Sequence, residues 1–261
     1  MTQQNTTQRP TIRGRFTTCE ITRREDLTED LWKIWLKPAQ PFTFKPGQYC
    51  TIGAEGIERP YSIVSSPDEP EIELFVELVP PPDGNLTPVL YDLSVGTELT
   101  LRPRAKGLFV FKPEFKNHVM VGTVTGVAPY VSILRKFLND PEWNADASIA
   151  RDDYKFYVLE GASYSDEFGY DDELSELAET HENIEFYSSV SRPDEDRNSE
   201  WQGPRGRINT LVEGFVRERN LDPAETVIYA CGHPGMIEDV KARYAGTGYH
   251  FEEERFWKED D

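Results

Sequence analysis

The segment 117–129, NHVMVGTVTGVAP, decides the fold of the second half of the chain. A short apolar run leads into a turn with two glycines, and Pro129 then opens an amphipathic run that extends to residue 138. Apolar residues at helical spacing after such a turn predict a helix that begins near Pro129. Because strands that alternate with helices form parallel sheets, this order of strand, turn and helix predicts an α/β domain.

The same alternation continues towards the C-terminus. Strands are predicted at residues 117–121, 155–159, 184–190, 226–230 and 249–253, and helices at residues 128–138, 171–180, 209–218 and 234–243. These elements predict a parallel sheet with helices on both faces, a fold that binds nucleotides beyond the carboxyl ends of its strands. The residues that follow predicted strands are Gly122, Ser163, Ser191 and Cys231. We therefore expect one ligand site along that edge of the sheet.

The first half of the chain has a different pattern, which is typical of β structure. Six short segments rich in Ile, Val, Phe and Tyr lie at residues 14–22, 31–36, 48–52, 61–65, 71–76 and 98–103. Turn residues such as Pro46 and Gly47 separate them. Short strands at this spacing predict an antiparallel barrel, with a turn at residues 80–84 and a short helix at residues 88–93.

The charge of the chain changes at the same point as the pattern. The 261 residues carry a net charge of −19, yet residues 1–117 hold 14 Lys and Arg against 16 Asp and Glu. The acidic excess therefore belongs to the second half. We predict a disordered tail at residues 1–8, a barrel domain at residues 9–116 and an α/β domain at residues 117–261. An acidic surface disfavours nucleic acid and anionic membranes, and no apolar run approaches the ~20 residues of a membrane span.

The cysteines and histidines do not predict a metal site. The three cysteines are Cys19, Cys50 and Cys231, and neither they nor the four histidines have the spacing of metal or iron–sulfur ligands. An odd and sparse set of cysteines is also no disulfide framework, so a cytoplasmic location is expected. If the protein moves electrons, an organic cofactor must carry them.

The run Arg59-Pro60-Tyr61-Ser62 combines three kinds of side chain that one ligand could use. An Arg can bind a phosphate, an aromatic ring can lie on a flat heterocycle, and a hydroxyl can reach a polar edge atom, as a flavin nucleotide requires. The alternative is a β-hairpin with an exposed Arg and a packed Tyr. Two downstream runs, at residues 122–129 and 231–236, follow in an order that favours the ligand. Together the three runs resemble the ferredoxin–NADP⁺ reductase family in its bacterial form, from about Gly14 to Trp257.

This resemblance implies a flavin between the two domains. Arg59 would bind the phosphates, Tyr61 would stack on the isoalloxazine, and Ser62 would lie near N5, the atom that accepts hydride. A run similar to residues 84–87 wraps the flavin pyrophosphate in bacterial members. The residues assigned to FAD in this way are Arg59, Tyr61, Ser62, Ile63, Leu86, Thr87, Thr125, Phe256 and Trp257.

The end of the chain and Cys231 complete the implied catalytic centre. In the family, the aromatic residue matched by Phe256 faces the isoalloxazine opposite Tyr61, and the next, matched by Trp257, covers the adenine of FAD. Glu254 matches an acidic residue that can deliver protons, and Cys231 matches a cysteine near the transferred hydride. The catalytic residues implied are therefore Ser62, Cys231 and Glu254, with no metal ligands.

The resemblance also implies a site for NADP(H) on the second domain. Ser191 and Arg192 match a Ser-Arg pair that binds the adenosine 2′-phosphate, and Arg207 matches a second phosphate-binding Arg. The full set assigned to NADP(H) is Gly122, Thr123, Ser163, Tyr164, Ser191, Arg192, Arg207, Cys231 and Met236. The chain departs from the family twice. Val124 replaces a usual Gly, and Ser163 stands where bacterial members often carry a third Arg.

The function implied is reversible electron transfer between NADP(H) and ferredoxin or flavodoxin, by an FAD enzyme that is a monomer or weak dimer and binds neither nucleic acid nor membranes. One alternative is an NAD(P)H-dependent reductase that feeds a disulfide protein, an oxygenase or free flavin. A second is a non-enzymatic flavin-binding subunit of a larger complex. The absence of cluster-type cysteine spacing argues against subunits that carry their own iron–sulfur centre.

Overall fold

The computed structural model describes residues 16–144 and 147–255. The predicted tail at residues 1–8 and the terminal Phe256 and Trp257 lie outside the described residues. Across the described part of the chain, no helix is long and apolar enough to cross a membrane.

The first half forms an antiparallel barrel, as the sequence predicts. Its strands are β1 (Thr17–Asp26), β2 (Leu31–Pro38), β3 (Tyr49–Ala54), β4 (Ile57–Ser62), β5 (Ile72–Glu77) and β6 (Glu98–Leu101). They pair in the order β4-β3-β6-β1-β2-β5, and an antiparallel bridge between Ile63 and Leu74 brings the two ends of the sheet together. Alternate residues such as Ile34 and Leu36 point inward and are fully buried. A short helix, α1 (Thr87–Tyr91), follows the turn after β5.

The strand that carries Arg59 lies earlier than its predicted position. The sequence predicts a strand at residues 61–65, whereas β4 is Ile57–Ser62. The cause is a tight hairpin in which Glu55 and Gly56 both have positive φ angles, 51° and 82°. Two such residues match the twist of the flanking strands, so β4 begins directly after them. Arg59, Tyr61 and Ser62 therefore belong to one regular strand.

The second half forms the predicted parallel sheet. Its elements are β7 (Asn117–Thr123), α2 (Ala128–Asn139), β8 (Lys155–Ala162), α3 (Asp171–Thr180), β9 (Ile184–Val190), α4 (Ile208–Glu218), β10 (Thr226–Cys231), α5 (Pro234–Tyr244) and β11 (His250–Glu254). All neighbours are parallel in the order β11-β10-β7-β8-β9, and the strand order reverses between β7 and β10. Such a reversal opens a crevice at the carboxyl ends of the strands, where α/β proteins bind nucleotides.

Helix α2 packs the sheet against the barrel. The Ser132 hydroxyl donates to the backbone oxygen of Ser65 at 2.8 Å, and both residues are buried. Phe75 of β5 meets Tyr170 edge to face, with 5.6 Å between the ring centroids. These contacts join the two halves, and the end of β4 lies near the end of β10.

Candidate active site

Three residues that the resemblance assigns to catalysis meet where the barrel touches the parallel sheet. Ser62, at the end of β4, lies beside Cys231, at the end of β10, close enough for its side chain to lower the pKa of the Cys231 thiol. Glu254 lies beside Cys231 on the neighbouring strand, because these two residues are paired in the register of β10 and β11. Residues 169 positions apart in the sequence, Ser62 and Cys231, thus share one small site.

Burial keeps the Cys231 thiol protonated. Desolvation raises the pKa of Cys231 far above its usual value, and the negative charge of Glu254 raises it further. A thiol attacks as a nucleophile only in its thiolate form. The geometry therefore supports Cys231 as a residue that shapes the site and not as a nucleophile.

Glu254 differs from Cys231, because its carboxyl group can gain and lose a proton near neutral pH. Desolvation raises its pKa to about 7. Its carboxylate lies against the backbone of the barrel, because a Cβ placed on Gly107 would stand only 3.2 Å from Glu254 Oε2. A carboxyl group with a pKa near the working pH can both give and accept a proton.

Two residues of β4 have polar groups that lack a matching partner among the described residues: Arg59 has no carboxylate, and the Tyr61 hydroxyl has no hydrogen bond. Arg59 is exposed, and its guanidinium donates to the backbone oxygen of Glu58 at 2.8 Å; among the described residues no carboxylate forms an ion pair with it. The Tyr61 hydroxyl is buried without a hydrogen-bond partner. A free cation next to an unsatisfied buried hydroxyl fits a ligand with phosphate and polar groups.

The turn after β5 is held by the hydroxyl of Thr87, whose assignment to FAD remains a prediction. The Thr87 hydroxyl donates to the backbone oxygen of Val79 at 3.1 Å and accepts from its N–H at 3.0 Å. Its single proton is therefore occupied within the protein. The side chains of Leu86 and Ile63 are buried in the barrel core, and the assignment of these two residues to FAD remains a prediction. Gly84 is required sterically, because a Cβ there would lie 1.7 Å from the backbone oxygen of Val79.

The glycine turn after β7 packs directly on the turn after β10. A Cβ on Gly126 would lie 2.2 Å from the backbone oxygen of Cys231. The Thr123 hydroxyl accepts a hydrogen bond from the His233 N–H at 2.8 Å, at the start of α5. Thr123 thus holds the two turns together, and Gly126 lets them approach, whereas a Cβ on Gly122 would meet Tyr130 and Gly126 at 3.1 and 3.2 Å. Met236 is buried on α5 with the apolar residues beneath the sheet.

Val124 adopts a backbone conformation that suits glycine. Its φ angle is 46°, which β-branched residues rarely adopt. Its side chain packs against the small cluster formed by Ala162, Phe168 and Val190. The turn thus keeps its left-handed shape, and the Val124 side chain fills space at the carboxyl edge of the sheet. Thr125 follows in the same turn and is half-buried.

The predicted phosphate-binding residues lie together at the ends of β8 and β9. Arg192 donates through Nη1 to the Tyr164 hydroxyl at 2.8 Å. Arg207, directly before α4, is exposed and has no carboxylate partner within residues 16–144 and 147–255. The backbone of Ser191 is fixed by a hydrogen bond to Ala162 at 2.9 Å. Ser163, in place of the third Arg, uses its backbone N–H to bind Glu167 at 2.8 Å.

The comparisons with known proteins agree with this geometry. Residues 120–242 match the profile of the Oxidoreductase NAD-binding domain family. The chain is 29% identical over 239 residues to the flavodoxin/ferredoxin–NADP reductase of Escherichia coli, a match that covers 87% of this chain and 88% of the relative. Residues 120–242 thus form an oxidoreductase NAD-binding domain, and most of the chain is similar to the ferredoxin–NADP⁺ reductases.

A solved member of the ferredoxin–NADP⁺ reductase family shares the whole fold. The ferredoxin NADP⁺ reductase of Neisseria gonorrhoeae, solved with bound FAD and NADP, superimposes with a TM-score of 0.76 at 23% identity, over 94% of this chain and 100% of that one. Another relative is the reductase component of propane 2-monooxygenase from Mycolicibacterium goodii, 29% identical over 84% of this chain and 60% of the relative. The chain is a flavin- and NAD(P)-dependent oxidoreductase, and the proteins that it resembles serve different electron acceptors.

Two residues of this site have no signal in the sequence. Asn198, in a stretch that the composition predicts only as a polar loop, is buried and binds three backbone groups of the neighbouring turns. Glu160 of β8 is fully buried, and neither of its carboxyl oxygens has a partner among the described residues. Burial raises the pKa of Glu160 well above its ordinary value, which keeps this group neutral. Both positions depend on tertiary packing that local pattern does not encode.

Proposed function

We propose that the protein binds FAD and transfers electrons between NADP(H) and a small one-electron carrier, ferredoxin or flavodoxin. The observation that supports this most is the meeting of Ser62, Cys231 and Glu254 at the contact between the barrel and the parallel sheet. A flavin supplies hydride acceptance and the release of single electrons. The protein supplies position, because reacting atoms must be held in line and close together.

We assign the flavin to the face of β4. Arg59 binds a phosphate and Tyr61 offers its ring and its unsatisfied hydroxyl. Ser62 presents its hydroxyl at the polar edge of the ring system. Phe256 and Trp257 cover the flavin from the C-terminal end, a prediction that concerns residues outside the described part of the chain. They favour FAD over FMN, since FMN has no adenine for Trp257 to cover.

We assign the nicotinamide coenzyme to the carboxyl edge of the parallel sheet. The N-terminus of α2 follows the glycine turn and favours a pyrophosphate there. Arg192 and Arg207 bind the 2′-phosphate, for which the planar guanidinium is well suited. Tyr164 lies next to Arg192 and offers an aromatic ring near the adenine. Preference for NADPH over NADH then depends on these two arginines.

We propose that Glu254 exchanges the proton that accompanies electron transfer. Its pKa of about 7 allows both protonation states at working pH. Cys231 stays neutral beside it, because burial raises the pKa of its thiol. No strong nucleophile is needed for this reaction, which agrees with the raised pKa of the thiol.

The partner surface is assigned to the barrel beside Glu254. Leu108 is 86% exposed, directly after Gly107, whose backbone faces the Glu254 carboxylate. Lys45, Arg104 and Lys106 surround this region of the chain, are exposed, and have no carboxylate partner within the described residues. An apolar residue among free cations, in a chain of net charge −19, favours an acidic carrier protein.

A reductase that feeds an oxygenase is the second candidate. The match to the propane 2-monooxygenase reductase component supports it, although the chain spans only 60% of that relative. A cytoplasmic location and the domain limits 9–116 and 117–261 remain predictions.

The deciding experiment begins with the absorption spectrum of the purified protein. Extracted FAD, bleaching by NADPH, and faster reduction of ferredoxin or flavodoxin than of an oxygenase component would agree with the proposal. A protein that carries FMN, or that refuses FAD, contradicts the cofactor assignment. Steady turnover of NADPH with a dye excludes the non-enzymatic alternative.

A further inference from the structure

Asn198 connects the two turns that carry the proposed phosphate-binding residues. Its side-chain amide donates through Nδ2 to the backbone oxygen of Ser163 and to that of Arg192, both at 2.9 Å. Its Oδ1 accepts from the backbone N–H of Ser165, also at 2.9 Å. Asn198 is only 2% exposed, so water does not compete for these bonds.

The three bonds reach both sides of Tyr164 and the backbone of Arg192. Ser163 and Ser165 flank Tyr164, so the position of its ring depends on where Asn198 holds that segment. Tyr164 in turn accepts a hydrogen bond from Arg192. One buried amide therefore sets the backbone under both members of this pair.

The backbone of Asn198 is itself anchored. Its N–H donates to the Glu195 oxygen at 2.8 Å, and its oxygen accepts from the Trp201 N–H at 2.9 Å. It ends a single turn of 3-10 helix, Asp196–Asn198. From the same turn, Arg197 places its guanidinium 4.2 Å from the centroid of the Tyr164 ring and pairs with Asp166 at 2.7 Å. The turn thus supports Tyr164 by packing as well as through the backbone.

No other side chain of this size can make the same set of bonds. An Asn amide has two donor hydrogens and one acceptor oxygen, and here all three directions are used. An Asp in the same place keeps the shape and the acceptor but directs negative charge at two carbonyl oxygens. A small apolar residue leaves three backbone groups without partners.

We propose that Asn198 is a positioning residue for coenzyme selection, which holds Arg192 and Tyr164 where they recognise the 2′-phosphate of NADPH. This inference rests on the proposed function. It assigns the discrimination between the two coenzymes to a buried amide as well as to the exposed cations. Asn198 itself does not touch the coenzyme.

The test is steady-state kinetics with NADPH and NADH, with a dye as acceptor, on Asn198→Ala and Asn198→Asp. Loss of the two donated bonds should reduce kcat/KM for NADPH about tenfold, through KM and not through kcat. The value for NADH should stay within twofold, and inhibition by 2′-phospho-AMP should weaken as the NADPH value falls. Asn198→Asp should lower kcat/KM for NADPH as much as Asn198→Ala does. If Asn198 only filled space, Asn198→Asp would have the smaller effect.

Asn183→Ala is the matched control. Asn183 also donates to a backbone oxygen, that of Tyr154 at 3.3 Å, but it lies at the amino ends of β8 and β9, far from the carboxyl ends where Asn198 lies. Asn183→Ala should leave the ratio of kcat/KM for NADPH to kcat/KM for NADH unchanged. In an Arg192→Ala background, Asn198→Ala should lower that ratio no further, since the interaction it supports is already gone.

The outcomes separate this inference from the function on which it rests. A wild type that prefers NADPH, with Asn198 variants that keep the full preference or lose activity equally with both coenzymes, overturns the role of Asn198 alone. A wild type without any NADPH preference contradicts both. Should Asn198→Ala fail to retain the flavin spectrum, Asn198→Ser provides the same comparison with a residue that fits the turn.

Discussion

Arg135 of α2 donates through Nη1 to Oε2 of Glu73 in β5 at 2.5 Å, and this bond joins the parallel sheet to the barrel. The same guanidinium binds Glu173 of α3 at 2.7 and 2.8 Å. Glu73 also accepts from the Tyr170 hydroxyl at 2.8 Å, and its side chain is only 4% exposed. The ion pair is therefore part of a hydrogen-bonded network between the two halves, in which the Glu73 carboxylate is buried and Glu173 is partly exposed.

Removal of Arg135 should be strongly destabilising. Arg135→Ala leaves the Glu73 carboxylate buried without its cation, a change that typically costs about 3–5 kcal/mol. Urea unfolding followed by circular dichroism measures this. The control is Arg219→Ala, since Arg219 pairs with Glu185 at the surface and should cost no more than about 1 kcal/mol. Equal losses for the two variants would show that the interface does not depend on Arg135.

The strands and helices of this chain follow from its sequence, because apolar spacing is a local property. The alternation after Asn117 predicts every strand of the parallel sheet to within a few residues. The predicted position of β4 is wrong by several residues, because the sequence at Glu55 and Gly56 has no strong turn signature for the hairpin that forms there. The closeness of Ser62 to Cys231 follows from the sequence only through the family resemblance, since no local pattern links them.

The charges of the barrel show why surface interactions are harder to predict. The sequence concentrates cations in the first 45 residues, and these suggest a docking surface there: Arg9, Arg13, Arg15, Arg23, Arg24, Lys33, Lys37 and Lys45. In the structure Arg23 and Arg24 pair with Glu25 and Asp26, and Lys33 also approaches Glu25. The first three lie outside the described residues. Lys37 and Lys45 keep no carboxylate partner among the described residues, and two further free cations, Arg104 and Lys106, are brought near Lys45 only by the fold.

Activity should depend on pH through Glu254. Its pKa of about 7 predicts an inflection near neutral pH in the rate with NADPH, and Glu254→Gln should remove that inflection. Stability should change in the same range. Because the folded-state pKa is raised from 4.5, this group contributes most below pH 4.5, and its contribution is lost as the pH rises to about 7. Stopped-flow rates and urea unfolding across pH 5–9 check both; identical profiles for Glu254→Gln and wild type would rule out this role.

Arg207 should contribute to coenzyme choice without contributing to stability. One charged hydrogen bond is worth roughly 1.5–3 kcal/mol, so Arg207→Ala should lower kcat/KM for NADPH about 10–100-fold and leave NADH unchanged. Arg217→Ala is the control, because Arg217 lies in the last turn of the same helix and also has no carboxylate partner in the described chain. It should change neither value. Conversely, Ser163→Arg should widen the preference for NADPH by adding a cation at this edge.

Val124→Gly should lower the free energy of unfolding less than Val127→Gly does. Glycine adopts the φ angle of 46° freely, which removes a strain of about 1–3 kcal/mol and offsets the packing that is lost. Val127 is fully buried and lies next to α2 with a φ angle of −73°. Val127→Gly should therefore cost at least about 2 kcal/mol more than Val124→Gly in urea unfolding. A similar loss at both positions would mean that Val124 is not strained.

The partner should dock on the surface formed by Lys45, Arg104, Lys106 and Leu108. Attraction between exposed charges weakens as salt rises, because the screening length falls to about 10 Å at 0.1 M ionic strength. Reduction of ferredoxin or flavodoxin should therefore slow with added salt, while reduction of a neutral dye should not. Lys106→Glu should raise the KM for the protein carrier several-fold, and Leu108→Ala should raise it at every salt concentration.

Lys37→Glu makes the same change of charge as Lys106→Glu at another exposed position, and it tests whether this surface is specific. Lys37 lies on β2, which the sheet order separates from β3 by two strands, and it too has no carboxylate partner among the described residues. If net charge alone governed association, both substitutions would weaken it equally. We expect Lys106→Glu to have the larger effect, because Lys106 pairs with Tyr49 beside Ser62, at the edge of the site from which electrons must leave. A rate that is independent of salt, or equal effects of the two substitutions, would place the partner on another surface.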